Sequence, residues 1–179
     1  AERRENIITP KEFDKLIGLV KDDDFRELLT VAWECGARPQ EMTKMEARHV
    51  EVKNQRAVIP MKEAKGKKRI RIVYFTDNSL EIVKRRIERY PEGPLFRNTR
   101  GAKWTAFSVD CRFKRLAEKF GKKIALYDLR HSFSPRLLEA GVDPLTVSIL
   151  LGHLDTTVLT KVYAHVAQNS EHLLKALRA

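Results

Sequence analysis

Cysteine is scarce in this chain. Cys35 and Cys111 are the only two in 179 residues; they cannot make a disulfide framework, and neither lies in a CxxC pair or a Cys/His cluster with zinc spacing. The sequence therefore predicts a reducing cytoplasmic setting and no structural metal. No apolar run approaches the roughly 18 residues needed to span a bilayer, and the opening AERRENIITP carries no apolar signal-peptide core. Membrane insertion and secretion are not expected. Acidic side chains are also in deficit. The 24 Asp and Glu face 35 Lys and Arg, which leaves a formal charge of +11 and a pI near 9.8. Such a balance favours a polyanion as partner, nucleic acid first.

What is present describes an ordinary folded protein: 42% of the residues are hydrophobic and 33% charged. One domain of this length buries roughly 70% of the surface that its unfolded chain exposes, enough for a core without cross-links. Thr9, Pro10 and Glu12 spell a capping box with proline at the first helical position, opening a helix through Phe13, Leu16, Ile17 and Val20. The first eight residues then read as a linker remnant and residues 9–179 as one domain. A second helix runs from about Asp24, with Phe25, Leu28, Leu29, Ala32 and Trp33 on one side, and stops at Gly36. Pro39 begins a short helix, PQEMTKME. HVEV, RAVIP and RIRIVYF alternate as half-buried strands, the last two joined by a lysine-rich hairpin, MKEAKGKK.

Further helices are expected from Asp77, from Thr105 to Phe120 with Phe107, Val109, Phe113, Leu116 and Ala117 inside, and from Tyr127 to Ala140 with a kink at Pro135. Others are expected over Pro144 to Leu151, Thr157 to Val166 and Ser170 to Arg178. The expected fold class is mainly α with a small antiparallel β-sheet, that is, α+β.

Taken singly, the polar residues that stand out each have an ordinary structural explanation. Six Lys or Arg fall between positions 62 and 71 against Glu63 alone, and charge runs are usually solvated, although a cationic hairpin tip can also reach a phosphate. Arg38 follows a helix end, with Glu41 close enough through the turn to orient it. Arg130 edges an apolar stripe and can be a packing arginine. His153 follows a helix-ending Gly152, and Tyr163 lies at helical spacing with Leu159, Val162 and Val166, as a core tyrosine would. Together they can do what none can do alone, which is to attack a phosphodiester without a metal. A phenol near pKa 10 becomes a competent nucleophile when cations stabilise the phenolate and the charge growing on the phosphorus centre. A lysine on a mobile loop can give the departing 5′ oxygen its proton.

The segment YDLRHSFSPRLLEAGVDPLTVSILLGHLDTTVLTKVYAHV, from Tyr127 to Val166, and GARPQEM, from Gly36 to Met42, with a basic hairpin between them, resemble the tyrosine recombinase, or phage integrase, family. The resemblance covers nearly all of the chain as that family's catalytic domain. It implies that Arg38 and Arg130 are the two catalytic arginines, that His153 is the histidine of the LGH box, that Tyr163 is the nucleophile and that Glu41 supports Arg38. Lys65, directly before Gly66, best fits the catalytic lysine, with Lys67 as runner-up. Lys62, Lys67, Lys68 and Arg69 are expected to contact DNA. The family often has histidine three residues before the second arginine; Tyr127 stands there and can donate a hydrogen bond to phosphate but cannot act as a base at neutral pH. Proton removal from Tyr163 is left unassigned, and His131 reads as a packing residue of its helix.

The resemblance implies a site-specific recombinase or integrase that cuts and rejoins DNA through a 3′-phosphotyrosyl link, with no cofactor and no metal. Its partner would be double-stranded DNA, on which it would work as a tetramer, being a monomer otherwise, in the cytoplasm at the nucleoid. The family's amino-terminal core-binding domain is not encoded in these residues, so the chain reads as a catalytic fragment with weak, salt-sensitive DNA binding. A type IB topoisomerase-like relaxing enzyme and a non-catalytic DNA-binding module of the same fold are the rival readings.

Overall fold

The computed structural model describes residues 6–153, 164 and 167–178. The chain divides into two compact units, residues 1–133 and 134–179.

The first unit begins with α1 (Pro10–Leu19), and its cap forms as the sequence predicts: the Glu12 N–H donates to Thr9 Oγ1 and the Thr9 N–H to Glu12 Oε1, both at 3.1 Å. Its apolar face meets α2 (Asp23–Cys35), where the rings of Phe13 and Trp33 stack with centroids 4.4 Å apart. Gly36 ends α2 in the left-handed region at φ 65°. A short helix, α3 (Pro39–Lys44), leads to a three-stranded antiparallel sheet of β1 (Val50–Glu51), β2 (Arg56–Ile59) and β3 (Arg71–Tyr74) in the order β1-β2-β3. Val58 pairs with Ile72 and Ile59 with Arg71, so the lysine-rich segment closes the β2-β3 hairpin.

Next comes α4 (Asp77–Arg89), fastened to α2 where the buried Arg86 donates at 2.7 Å to Asp24 and at 2.7 Å to Glu27. After α5 (Ala106–Phe120) and α6 (Leu126–His131) the unit ends at Phe133. Phe25, Leu28, Leu29, Met42, Phe96, Phe113 and Leu129 are fully buried or nearly so, and together they form the centre of one core.

Three expectations are corrected. Phe107, expected inside, is 78% exposed. The buried stripe of α5 is Val109, Phe113 and Phe120, and two residues at 100° each turn Phe107 to the far side of the helix from Val109. The single helix expected from Tyr127 to Ala140 is two, α6 and α7 (Phe133–Glu139), parted at Ser132 rather than bent at Pro135. Proline lacks an N–H and crowds the carbonyl four residues back; restarting at Phe133 places Pro135 in a first turn, where neither matters. Ile8, read with the linker, is 2% exposed, and its N–H donates to Ser132 Oγ at 2.7 Å.

In the second unit, α8 (Pro144–Leu151) is capped by Asp143, whose carboxylate accepts from the Thr146 N–H at 2.9 Å, and ends at Gly152 with φ 70°. The last helix, α9 (Ser170–Leu177), leaves Leu173, Leu174 and Leu177 exposed. The helix expected from Thr157 to Val166, and Tyr163 with it, lies outside the described residues apart from Ala164.

Candidate active site

Gly36 turns the chain out of α2, and Arg38 is the extended residue just before Pro39 starts α3. Glu41, one turn into α3, reaches back: its Oε2 accepts from the Arg38 N–H at 2.7 Å and its Oε1 from Arg38 Nη1 at 2.9 Å. A charged donor and acceptor fixed at both backbone and side chain leave the guanidinium little freedom. Arg38 is 15% exposed along its side chain, and Glu41 only 6%.

Arg130 enters from α6, 3% exposed, and Nη1 donates to the Gly36 carbonyl at 2.8 Å. Burial pulls its guanidinium below the ordinary value and the adjacent Arg38 charge pulls it further; Glu41, Arg71 and Tyr127 also act on it, the first and last raising it. The two arginines therefore meet at one turn of backbone, Arg130 holding the carbonyl of Gly36 two residues before Arg38. Tyr127 lies one turn before Arg130 on α6, its ring 4.7 Å from that of His131. His131 is half-buried.

Arg38 and Tyr127 line a groove of about 530 Å³ with Lys44, Lys65, Lys103 and Trp104. Lys65 lies on the hairpin tip, exposed, beside Gly66 and Lys67, which both take left-handed backbone at φ 79° and 51°. A second groove, of about 580 Å³, shares Lys44, Lys65 and Lys103 and adds Lys62 and Lys67. Lys68 and Arg69 are exposed on the same tip and line neither groove.

The base of the hairpin is held. The Glu63 and Ala64 N–H groups both donate to the Pro60 carbonyl, at 2.9 and 3.0 Å, and Ala64 is buried. Arg48 donates to both oxygens of Glu63, and His49 Nε2 lies 3.5 Å from Glu63 Oε1. Glu46, His49 and Glu63 come close enough to suggest a cation site. However, His49 Nδ1 accepts the Glu46 N–H at 3.0 Å. The neutral ring then carries its proton on Nε2 and offers Glu63 a donor, not a lone pair to a metal.

The structure thus brings Arg38, Glu41, Lys65, Tyr127 and Arg130 together in the first unit. His153 belongs to the second: it follows Gly152 at the end of α8, half-buried, and its N–H donates to the Ser148 carbonyl at 2.8 Å. Sequence reasoning missed three residues. Lys44 and Lys103 line the groove from α3 and from the turns before α5. Arg71, counted among the solvated charges of the hairpin, is 6% exposed and donates through Nε to Glu41 Oε1 at 2.9 Å. The signal was available in the alternation of RIRIVYF, which puts Arg71 on the same face of β3 as the buried Val73 and Phe75.

Arginines gathered round a single carboxylate, next to a lysine-lined groove, make a domain that can receive an oxyanion along its surface. The chain belongs to the phage integrase family, whose sequence pattern matches residues 6–170. Among curated relatives it is similar to the tyrosine recombinase XerD of Pseudomonas aeruginosa, 29% identical over 174 residues, which cover 92% of this chain and 55% of that protein. It is also similar to XerA of Thermococcus kodakarensis, 28% identical over 94% of this chain and 60% of that one. The first three curated relatives are matched over 65%, 53% and 55% of their own lengths. Among solved structures, the Tn1549 transposon integrase in complex with circular intermediate DNA shares the fold with a TM-score of 0.78 at 18% identity, over 99% of this chain and 68% of that one. Among the described residues, no helix is long and apolar enough to cross a membrane.

Proposed function

We propose that this chain is the catalytic domain of a site-specific DNA recombinase, a strand transferase that cuts and rejoins duplex DNA through a 3′-phosphotyrosyl link. The Tyr163 hydroxyl gives up its proton to a base left unassigned as its oxygen attacks the scissile phosphorus, the bond to the 5′ oxygen breaks, and that oxygen leaves as a hydroxyl with a proton from Lys65. A 5′ hydroxyl of another strand later attacks the phosphotyrosine and releases the tyrosine. The ester conserves the bond energy, so no nucleotide is consumed. Arg38, Arg130 and His153 hold the nonbridging oxygens, with Tyr127 as an additional donor, and Lys62, Lys67, Lys68 and Arg69 contact the DNA backbone. Assembly is a tetramer on DNA from monomers without it, in the cytoplasm at the nucleoid.

The observation that carries this reading is the meeting of Arg38 and Arg130 at one turn: Glu41 holds Arg38, and Arg130 holds the carbonyl of Gly36, two residues before Arg38. One residue reaches the site from a helix start and the other from α6, more than ninety positions later. Planar guanidinium groups suit two oxygens of one phosphate and need no metal to offset its charge.

The test is covalent capture. The chain is incubated with a pool of nicked duplexes of randomised sequence, denatured, and the DNA that stays attached to protein is recovered and sequenced. Attached DNA sharing one sequence is expected, and none is expected with Tyr163→Phe. DNA binding without attachment would favour the non-catalytic module, and attachment that survives Tyr163→Phe would remove the assigned nucleophile. Relaxation of supercoiled plasmid by monomers, with no site preference, would favour the topoisomerase.

A further inference from the structure

We infer that Arg71 is a positioning residue of the arginine pocket: it shares the Glu41 carboxylate with Arg38, and so keeps Arg38 aimed at phosphate instead of neutralised by its own carboxylate. This rests on the strand-transfer reading of the site.

The argument starts from how Glu41 divides its two oxygens. Oε1 accepts from Arg38 Nη1 and from Arg71 Nε, each at 2.9 Å. Oε2 accepts from the Arg38 backbone N–H at 2.7 Å and, more weakly, from Arg71 Nη2 at 3.5 Å. Arg71 therefore meets the carboxylate edge-on with two nitrogens, the geometry that fixes a carboxylate in plane. The Arg38 guanidinium spends one nitrogen. Among the described residues, no hydrogen bond takes up its Nε or Nη2, and the side chain lines the open groove.

Arg71 itself is anchored. It is 6% exposed, lies in β3 and donates through Nη1 to the Ile72 carbonyl at 2.7 Å. Its strand is paired along its length with β2, so the guanidinium is presented from a sheet rather than from a loop.

The electrostatics agree with the geometry. Burial pushes the Glu41 carboxyl up; against it act first the Arg71 charge and hydrogen bond, then the Arg38 N–H and the Arg38 charge, and the result lies below the ordinary value. Arg71 and Arg38 together keep Glu41 ionised, and Arg71 meets it with two nitrogens where the Arg38 side chain spends one. Without Arg71, one buried carboxylate would face Arg38 as its principal cation. Either the carboxylate would draw the guanidinium fully onto itself, or it would take up a proton and let it go. Both outcomes cost the aim of the catalytic arginine.

The experiment uses the full chain with Arg71→Gln and Arg71→Lys, each alone and in a Glu41→Gln background. Two quantities are read. The first is the single-turnover rate of covalent capture, from pH 5 to 9, on the duplex recovered from the randomised pool. The second is the titration of the Glu41 side-chain carbon in protein labelled at glutamate, assigned by its loss in Glu41→Gln.

Arg71→Gln should slow capture by about tenfold to a hundredfold, the scale for losing a charge-assisted hydrogen bond behind a group that acts in the transition state. It should also move both the acid limb of the rate and the Glu41 titration to higher pH. Arg71→Lys, which restores a charge but not the two-nitrogen grip, should return the titration toward its original place while recovering only part of the rate. Arg71→Gln should add nothing once Glu41 is glutamine, since it acts through that carboxylate. An unmoved Glu41 titration, or capture by both Arg71 variants at the unsubstituted rate and pH profile, overturns the inference. So does an equal loss in the Glu41→Gln background. If the unsubstituted chain makes no covalent link, the strand-transfer reading fails, and the titration still decides whether Arg71 governs Glu41. Arg71→Lys retains the buried charge, so the comparison stands even if the glutamine variant folds poorly.

Discussion

Nη1 of Arg130 donates to the carbonyl of Gly36 at 2.8 Å. A side chain of α6 is thereby tied to the turn that delivers Arg38, two residues on, and the two guanidinium groups are set by one piece of backbone. The geometry of the pocket depends on that turn keeping its shape.

Gly36 is the first place to test it. Its φ of 65° is left-handed, and a Cβ built there would lie 2.7 Å from the Phe133 ring. Gly36→Ala should therefore lose about 2–4 kcal/mol, summing left-handed strain and a buried clash with a ring. Urea unfolding monitored by tryptophan fluorescence measures it. Covalent capture should fall further than the unfolded fraction accounts for, because Arg38 and the carbonyl that holds Arg130 both move.

Arg130→Lys keeps a positive charge but cannot hold the Gly36 carbonyl and still offer two nitrogens to phosphate. A capture rate lower by about a hundredfold or more is expected, the size of losing an oxyanion donor, at little cost in DNA affinity. Single-turnover kinetics beside a filter-binding titration separate the two. An equal loss in both would make Arg130 a general DNA contact.

Glu41 predicts a dependence of stability on acid. Its folded-state carboxyl lies below the ordinary 4.5, so the unfolded chain binds the proton more tightly. The stability it contributes is complete above that ordinary value and is lost as pH falls through the lowered one. Glu41→Gln should flatten this part of the stability profile between pH 7 and 3. At neutral pH it should also destabilise by about 3–5 kcal/mol, because Arg71 would be left buried without its anion. Equilibrium unfolding at a series of pH values checks both.

As the proposed proton donor, Lys65 makes a chemical prediction. Lys65→Ala should slow capture about a hundredfold on ordinary DNA. It should have little effect on a duplex in which sulfur replaces the 5′ bridging oxygen, since a thiolate leaves without a proton. Lys67→Ala, its rival at the tip, should show no such rescue. If the pattern is reversed, Lys67 is the acid.

Features set by neighbours in sequence could be read without coordinates. The Thr9 and Glu12 capping box, the Gly36 stop and the Arg38 to Glu41 pairing each involve residues at most a few positions apart, where spacing alone decides geometry. The Arg130 environment was hidden, because its partner is a backbone carbonyl 94 residues away. Arg71 was hidden for a different reason. It ends a run of solvated lysines, and composition outweighed the alternation that placed it with Val73 and Phe75. Phe107 was misassigned because an apolar residue in a first helical turn was counted with the stripe, although its angle sets it opposite. The division at Ser132 follows from a proline rule, but where the chain would yield was a matter of packing.

The hairpin has a bonded, partly buried root and an exposed end. Glu63 is clamped by Arg48 and Ala64 is sunk in the core, so Lys65 sits one bond from an anchored point. Its ammonium can travel only as far as its own four carbons swing. At Gly66 and Lys67 the backbone turns through two left-handed residues, and Lys67, Lys68 and Arg69 all stand in solvent. A single loop can in this way keep one amine at a fixed address while the others accommodate whatever curvature a bound polyanion presents.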